Sequence, residues 1–257
     1  ELVEGVLYVA GNFFTITGSS RNGIAALNTA TAALTSWNPN ANAAVHKIIV
    51  SGEKVFLSGS FTTLKGVSRK YIGAVSKSTG AVLDWNPNSS GTVYNMALSG
   101  NTLYAGGTFT TMGGNSRNGL AAINVLDTGT TTAWNPNPDN SIVLLEVYGT
   151  TLYVSGYFNN IAGVPRINLA SFDVTTGDIT NWAPNPNGIV EEIVFSGGKV
   201  YFGGRFQSFA GQPRLRMAEV DEATGNLTSW TAHTDAAVIS LAVDGTNIYA
   251  GGNFNSI

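Results

Sequence analysis

The 257-residue chain has no cysteine, which removes disulfides, thiolate metal sites and a cysteine nucleophile together and leaves the redox compartment open. Charge is scarce as well, at 11% Asp, Glu, Lys and Arg, with a formal net charge of -3. The thirteen scattered Lys and Arg form no basic patch that could neutralise a row of phosphates, so neither nucleic acid nor an anionic membrane surface is an expected partner. No run of eighteen apolar residues occurs, so no membrane insertion is expected, and Glu1-Leu2-Val3-Glu4-Gly5 lacks the charged and apolar regions of a signal peptide.

Catalytic constellations are missing too. The two histidines, His46 and His233, stand apart, and neither has a metal-type spacing to another ligand. No nucleophile-elbow motif is present. The acid pairs Glu191-Glu192 and Asp221-Glu222 are chain neighbours, whose side chains on a strand point to opposite faces or into solvent, so they read as solvated acids. The chain is therefore expected not to be an enzyme in its own right and to need no cofactor.

What the chain does have is turn chemistry: 31 Gly and eight Pro, with many Thr, Ser and Asn, describe short strands joined by many turns. The length allows one large all-β domain or two smaller ones. A repeat decides between them. A heptad ending in Gly-x-Phe recurs with its glycine at positions 11, 59, 107, 156, 204 and 252, a period of 48 residues with one slip to 49. Two further columns keep that period: Arg21, Arg69, Arg117, Arg166 and Arg214, and Trp37, Trp85, Trp134, Trp182 and Trp230. The slip falls where Leu126-Asp127-Thr128-Gly129-Thr130 replaces a shorter turn, where an insertion is tolerated.

In the second copy four strand-like runs are predicted, at residues 45–50, 55–61, 71–75 and 81–85, with a loop at 62–68 and Asn86-Pro87-Asn88 ending the last run because proline cannot donate to a ladder. Four short strands per 48 residues fit a β-propeller blade, whereas a leucine-rich repeat is shorter and helical repeats need a 3.6-residue period. Residues 1–257 are expected to form a single propeller domain of five full blades plus half a blade, incomplete at one or both ends. A six-bladed ring within a longer polypeptide is the first reading and a five-bladed ring the alternative.

The motif Gly-x-Phe-Thr-Thr-x-x-Gly-x-Ser-Arg-Asn-Gly, as in Ser20-Arg21-Asn22-Gly23-Ile24-Ala25-Ala26-Leu27-Asn28, followed by Trp-Asn-Pro-Asn, resembles the delta-60 repeat propellers over essentially the whole chain. The likeness is tightest in copies one and three and looser in copies four and five, which have Pro165-Arg166 and Pro213-Arg214. In the fifth copy Trp230 is followed by Thr231-Ala232-His233, so a different turn is expected there. The resemblance implies a large bacterial exported or cell-surface protein, extracellular, with adhesion-type modules elsewhere in the chain.

Each column has a functional and a structural reading. A ring of guanidiniums can bind acidic ligands, but one arginine per blade before the third strand is better read as tying neighbouring blades together through backbone carbonyls. The tryptophans invite comparison with sugar-stacking sites, yet no Glu or Asp column accompanies them, so packing between blades is the expected role. Asn-Pro-Asn reads as an Asx-type turn, whose carbonyl oxygens are the one place where Ca²⁺ comes into consideration. The partner site is sought where the blades differ. On the first strand two variable columns, His46, Tyr94, Val143, Glu191, Ile239 and Lys47, Asn95, Leu144, Glu192, Ser240, precede an always apolar one. Of these His46, Lys47, Tyr94, Asn95, Glu191, Glu192 and Ser240 are the candidate channel-facing residues. They suit a structural or adhesive module contacting a protein or glycan, within a larger assembly or longer chain. The alternative is a ligand-binding or hydrolytic propeller, favoured if His46, Lys47 and Glu192 converge.

Overall fold

The computed structural model describes residues 1–257. The chain is all-β, with small antiparallel sheets repeated along it. Two compact units are formed, Glu1–Asn137 and Pro138–Ile257. The first holds three three-stranded sheets: Leu2–Val3, Val6–Ala10 and Ile24–Asn28; Val45–Ser51, Lys54–Gly59 and Ile72–Ser76; Val93–Ser99, Thr102–Gly107 and Leu120–Asn124. The second holds Ile142–Tyr148, Thr151–Gly156 and Leu169–Asp173, then Val190–Ser196, Lys199–Gly204 and Met217–Asp221, then the hairpin of Val238–Asp244 and Asn247–Gly252. In every complete sheet the second strand lies in the middle, antiparallel to both neighbours.

Two details differ from the four-strand expectation. The fourth run of each repeat is reduced to one isolated bridge, Leu27 to Leu34, Val75 to Val82, Ile123 to Thr131, Phe172 to Ile179 and Val220 to Leu227. In the first four repeats a Trp-x-Pro segment follows within a few residues and its proline carries no donor, while the fifth stops at the same point with Trp230-Thr231-Ala232 in its place. The loop at 62–68 is not irregular: it folds into a miniature hairpin of Thr63–Leu64 and Val67–Ser68. Its two turn residues, Lys65 at φ 49° and Gly66 at φ 78°, both lie in the left-handed region, as a type I′ turn requires. All five repeats contain this hairpin.

The repeated glycine has a steric cause. A Cβ on Gly59, Gly107, Gly156, Gly204 or Gly252 would lie 2.0–2.3 Å from a carbonyl oxygen just ahead of the first strand of the same repeat, for example Thr92 O beside Gly107. The phenylalanine two residues on is then buried, as Phe61, Phe109, Phe158 and Phe206 are.

The core lies between successive sheets. In the first unit Tyr8, Ile24 and Trp37 pack on Val45, Leu57 and Phe61 of the next repeat, and Phe56, Ile72 and Trp85 pack on Val93, Leu103 and Phe109. In the second unit Leu144 and Leu169 pack on Val190, Phe202 and Phe206. Within each unit a repeat thus buries its apolar surface against its neighbour in sequence, the nearest-neighbour economy of repeat proteins.

Candidate functional site

The invariant polar columns are used up by the scaffold. Each repeat arginine donates to the preceding carbonyl and to a carbonyl fourteen or fifteen residues on: Arg69 reaches Ser68 O at 2.7 Å and Leu83 O at 2.6 Å, and Arg21, Arg117, Arg166 and Arg214 repeat the pattern. The arginines do hold backbone carbonyls, but the clamp stays inside one repeat rather than joining neighbours. In each case the guanidinium captures the carbonyl two residues before the tryptophan, just past the bridge that ends the fourth run.

The tryptophans do join neighbours. Trp37 Nε1 donates to Ser76 O at 2.9 Å and Trp85 Nε1 to Asn124 O at 2.8 Å, each in the next repeat. Asn40, Asn88, Asn137 and Asn185, the second asparagine of each Asn-Pro-Asn or its variant, have φ between 43° and 53°, a conformation asparagine tolerates well. The fifth copy departs from this, since His233 is not in that region.

A further column escapes sequence reasoning. Asn42, Ser90, Asp139 and Asn187 each accept backbone N–H groups at the start of the miniature hairpin that follows, as Asn42 Oδ1 does from Thr62 and Thr63 at 2.8 and 3.0 Å, and Asp235 accepts likewise from Asn255 and Ser256. Because Asn, Ser and Asp do the same job with one acceptor oxygen, no identity repeats; the signal is an acceptor twenty residues before the turn.

The variable columns sit at a β-bulge that recurs in every repeat with a full first strand. Register shifts between Val45 and Lys47, Val93 and Asn95, Ile142 and Leu144, Val190 and Glu192, and Val238 and Ser240. The extra residue, His46, Tyr94, Val143, Glu191 or Ile239, is left without a ladder partner, and bulges of this kind re-aim side chains. His46, Tyr94, Ile239 and Ser240 are exposed; Lys47, Asn95, Val143, Glu191 and Glu192 are half-buried; Leu144 is buried.

In the first unit the bulge residues of adjacent repeats meet: the His46 ring stacks on Tyr94 with centroids 5.8 Å apart and planes 27° apart. Ser60 Oγ lies 3.3 Å from His46 Nε2. Burial pushes the His46 imidazole below its ordinary value, against a hydrogen bond with the Val93 backbone, so the ring is neutral at pH 7. Asn95 Oδ1 is buried and has no partner.

The second unit carries charge at the same place. Glu191 accepts from Arg205 Nε at 2.5 Å, and this hydrogen bond raises Arg205 above its usual range. Arg216, held at φ 71°, donates to Arg205 O at 2.6 Å. Glu192 Oε1 accepts from Ile193 N at 3.3 Å. His46 and Lys47 belong to the first unit and Glu192 to the second.

Ser60 and Arg205 are the x of Gly-x-Phe, each fourteen residues after the bulge residue it touches. The x column of the other repeats is Asn12, Thr108, Tyr157 and Asn253. It varies between two invariant neighbours, and that variation is the signal that adds it to the candidate surface.

No family model matches the chain, and no curated protein is significantly similar to it. Among solved structures the chain is similar to the computationally designed Ika8 protein, with 13% identity and a TM-score of 0.57 over 98% of this chain and 79% of that one. A second similar structure, the computationally designed Ika4 protein, has 13% identity and a TM-score of 0.42 over 64% of this chain and 87% of that one. At such identities the Ika8 likeness bears on the fold alone, and it agrees with a repeated all-β architecture.

Proposed function

We propose that this chain is a non-catalytic interaction module, a β-propeller of the delta-60 repeat kind from a bacterial exported or cell-surface protein, which binds a protein or glycan through its bulge face. The observation that carries this reading is the division of labour between columns. Invariant Arg, Trp, Gly and Asn are consumed in carbonyl clamps, seam bonds and turns. Residues that differ from repeat to repeat gather at the bulge, with a stacked His46–Tyr94 pair in one unit and the Glu191–Arg205 pair in the other. Aromatic and Arg side chains supply most of the energy at protein interfaces, so these two clusters are the natural anchors.

On this reading each sheet with its bridge is a blade, the sixth hairpin belongs to a six-bladed ring, and a five-bladed ring is the alternative. Electron-microscopy class averages of the native polypeptide distinguish six from five.

The functional test is equilibrium binding of the chain to immobilised glycans and purified cell-surface polymers and proteins, repeated with Tyr94→Ala and Glu191→Ala combined. Loss of about tenfold or more in affinity, with thermal stability retained, supports the bulge face. Turnover of a glycoside or ester substrate that Glu191→Gln or Glu192→Gln abolishes overturns the non-catalytic reading.

A further inference from the structure

Seams between successive repeats are built alike, so a seam that departs from the pattern is informative. Three side chains decide each one: the aromatic of the second strand, the tryptophan, and the residue that follows the third strand of the next repeat. At the first seam these are Tyr8, Trp37 and Lys77; at the second, Phe56, Trp85 and Val125; at the seam inside the second unit, Tyr153, Trp182 and Glu222.

The first two seams are closed and satisfied. Tyr8, Trp37, Phe56 and Trp85 are all buried. Val125 plugs the second seam as part of its core. At the first, Lys77 Nζ pairs with Glu4 at 2.8 Å beside Tyr8, whose own titration feels that ammonium charge.

The seam between the fourth and fifth repeats keeps the edge-to-face ring pair of the first two but departs from them in bonding, burial and charge. Trp182 Nε1 bonds Gly225 O at 2.9 Å, at the tip of the turn, instead of the carbonyl of Asp221 that corresponds to Ser76 and Asn124. Tyr153 and Trp182 are only half-buried, and a cavity of about 230 Å³ opens between the repeats. Their rings meet edge to face, with centroids 5.7 Å apart and planes 83° apart. Glu222 is exposed on the cavity wall, and its charge is felt by Tyr153. Its carboxylate has neither hydrogen bond nor ion pair, because Gly149 occupies the place that corresponds to Glu4 and the one nearby ammonium, Lys199, is taken by Asp221 at 2.9 Å.

We infer that the Tyr153–Trp182–Glu222 cavity is a binding site for an alkylammonium group, of the class presented by a lysine side chain or its methylated forms. The first seam shows what such a place accommodates: an ammonium lies there beside Tyr8, supplied by the chain itself as Lys77. In the second unit glutamate stands in that lysine's place and Glu4 has no counterpart, so the seam offers a carboxylate beside the two aromatic rings while the cation must come from outside. Aromatic faces attract cations through the ring quadrupole, and a nearby unpaired carboxylate adds a direct charge. The site is separate from the bulge face, so its failure leaves the proposed function untouched.

The probe is tetramethylammonium chloride added to the intact chain, with sodium chloride at equal ionic strength as the blank, read by the indole N–H resonance of Trp182. Saturable movement of that resonance, weakened about fivefold or more by Glu222→Gln and abolished by Glu222→Lys, is the expected result. Glu222→Lys restores the charge found at the first seam and should leave the melting temperature unchanged, which separates loss of binding from loss of fold. Equal affinity in Glu222→Gln, no movement at all, or a response to methyl glucoside instead of the cation overturns the assignment.

Discussion

Alanine at Gly107 adds one methyl group, and the surroundings determine what that methyl does. Its Cβ would stand 2.0 Å from Thr92 O and 3.0 Å from both Thr92 C and Val93 Cα, all backbone atoms that open the first strand of the third sheet. Ordinary contact needs more than 3.4 Å, so the strand must retreat by over an ångström, away from a seam where Val93 is fully buried. Overpacking of a well-filled core costs about 1–3 kcal/mol, and here no flexible side chain can yield, so a loss of about 3 kcal/mol is expected. Gly11 is the internal control. It holds the same place in the motif, but the only atoms near a methyl added there are in the Phe13 ring, the closest at 3.5 Å. Gly11→Ala should therefore be neutral or stabilising by a few tenths of a kcal/mol through the unfolded chain. Urea unfolding followed by tryptophan fluorescence gives both values under one protocol, with unchanged slopes checking that the transition has kept its character. Equal effects of the two alanines would refute the carbonyl clash as the reason for the repeated glycine.

Two further perturbations test the scaffold. Arg69→Lys should destabilise nearly as much as Arg69→Met, about 1–3 kcal/mol by urea unfolding, because a point-like ammonium cannot serve Ser68 O and Leu83 O together and one carbonyl stays unpaired. Asp221 is held down to about 2 by its hydrogen bonds from Lys199 and Thr224, so its contribution to stability is complete above the ordinary value of 3.8 and drains away as pH falls through about 2. The acid limb of a melting-temperature profile should flatten over that window in Lys199→Met, and an unchanged limb would contradict the assignment.

How far the residues speak for themselves depends on whether a job admits one residue type. Glycine beside Thr92 O and tryptophan bonding Ser76 O have no substitutes, so their identities recur and the period is plain. The hairpin cap admits Asn, Ser or Asp, and the left-handed position before the third strand is filled by Gly23, Tyr71, Gly119, Asn168 and Arg216, so neither shows as a repeated letter. The short fourth run reads as a full strand because its apolar residues fit one, while the arginine that takes its last carbonyl lies fourteen residues away. The bulge is invisible for a related reason: an inserted residue carries no composition of its own, only a break in the alternation between Val45 and Lys47.

The same logic tells where a repeat protein can acquire a partner. A column under backbone constraint cannot change without the strain that alanine at Gly107 would bring, and the same close carbonyl stands at Gly59, Gly156, Gly204 and Gly252. A column whose only duty is a seam charge is freer, since Lys77 with Glu4, Val125 without any charge, and Glu222 opposite Gly149 all leave a packed neighbour on each side. Such a column lets one seam lose its internal cation while the ladder, the arginine clamp and the tryptophan bond persist around it. Specialisation then costs the fold little, and it falls where a charge without a partner lies against half-buried aromatic rings.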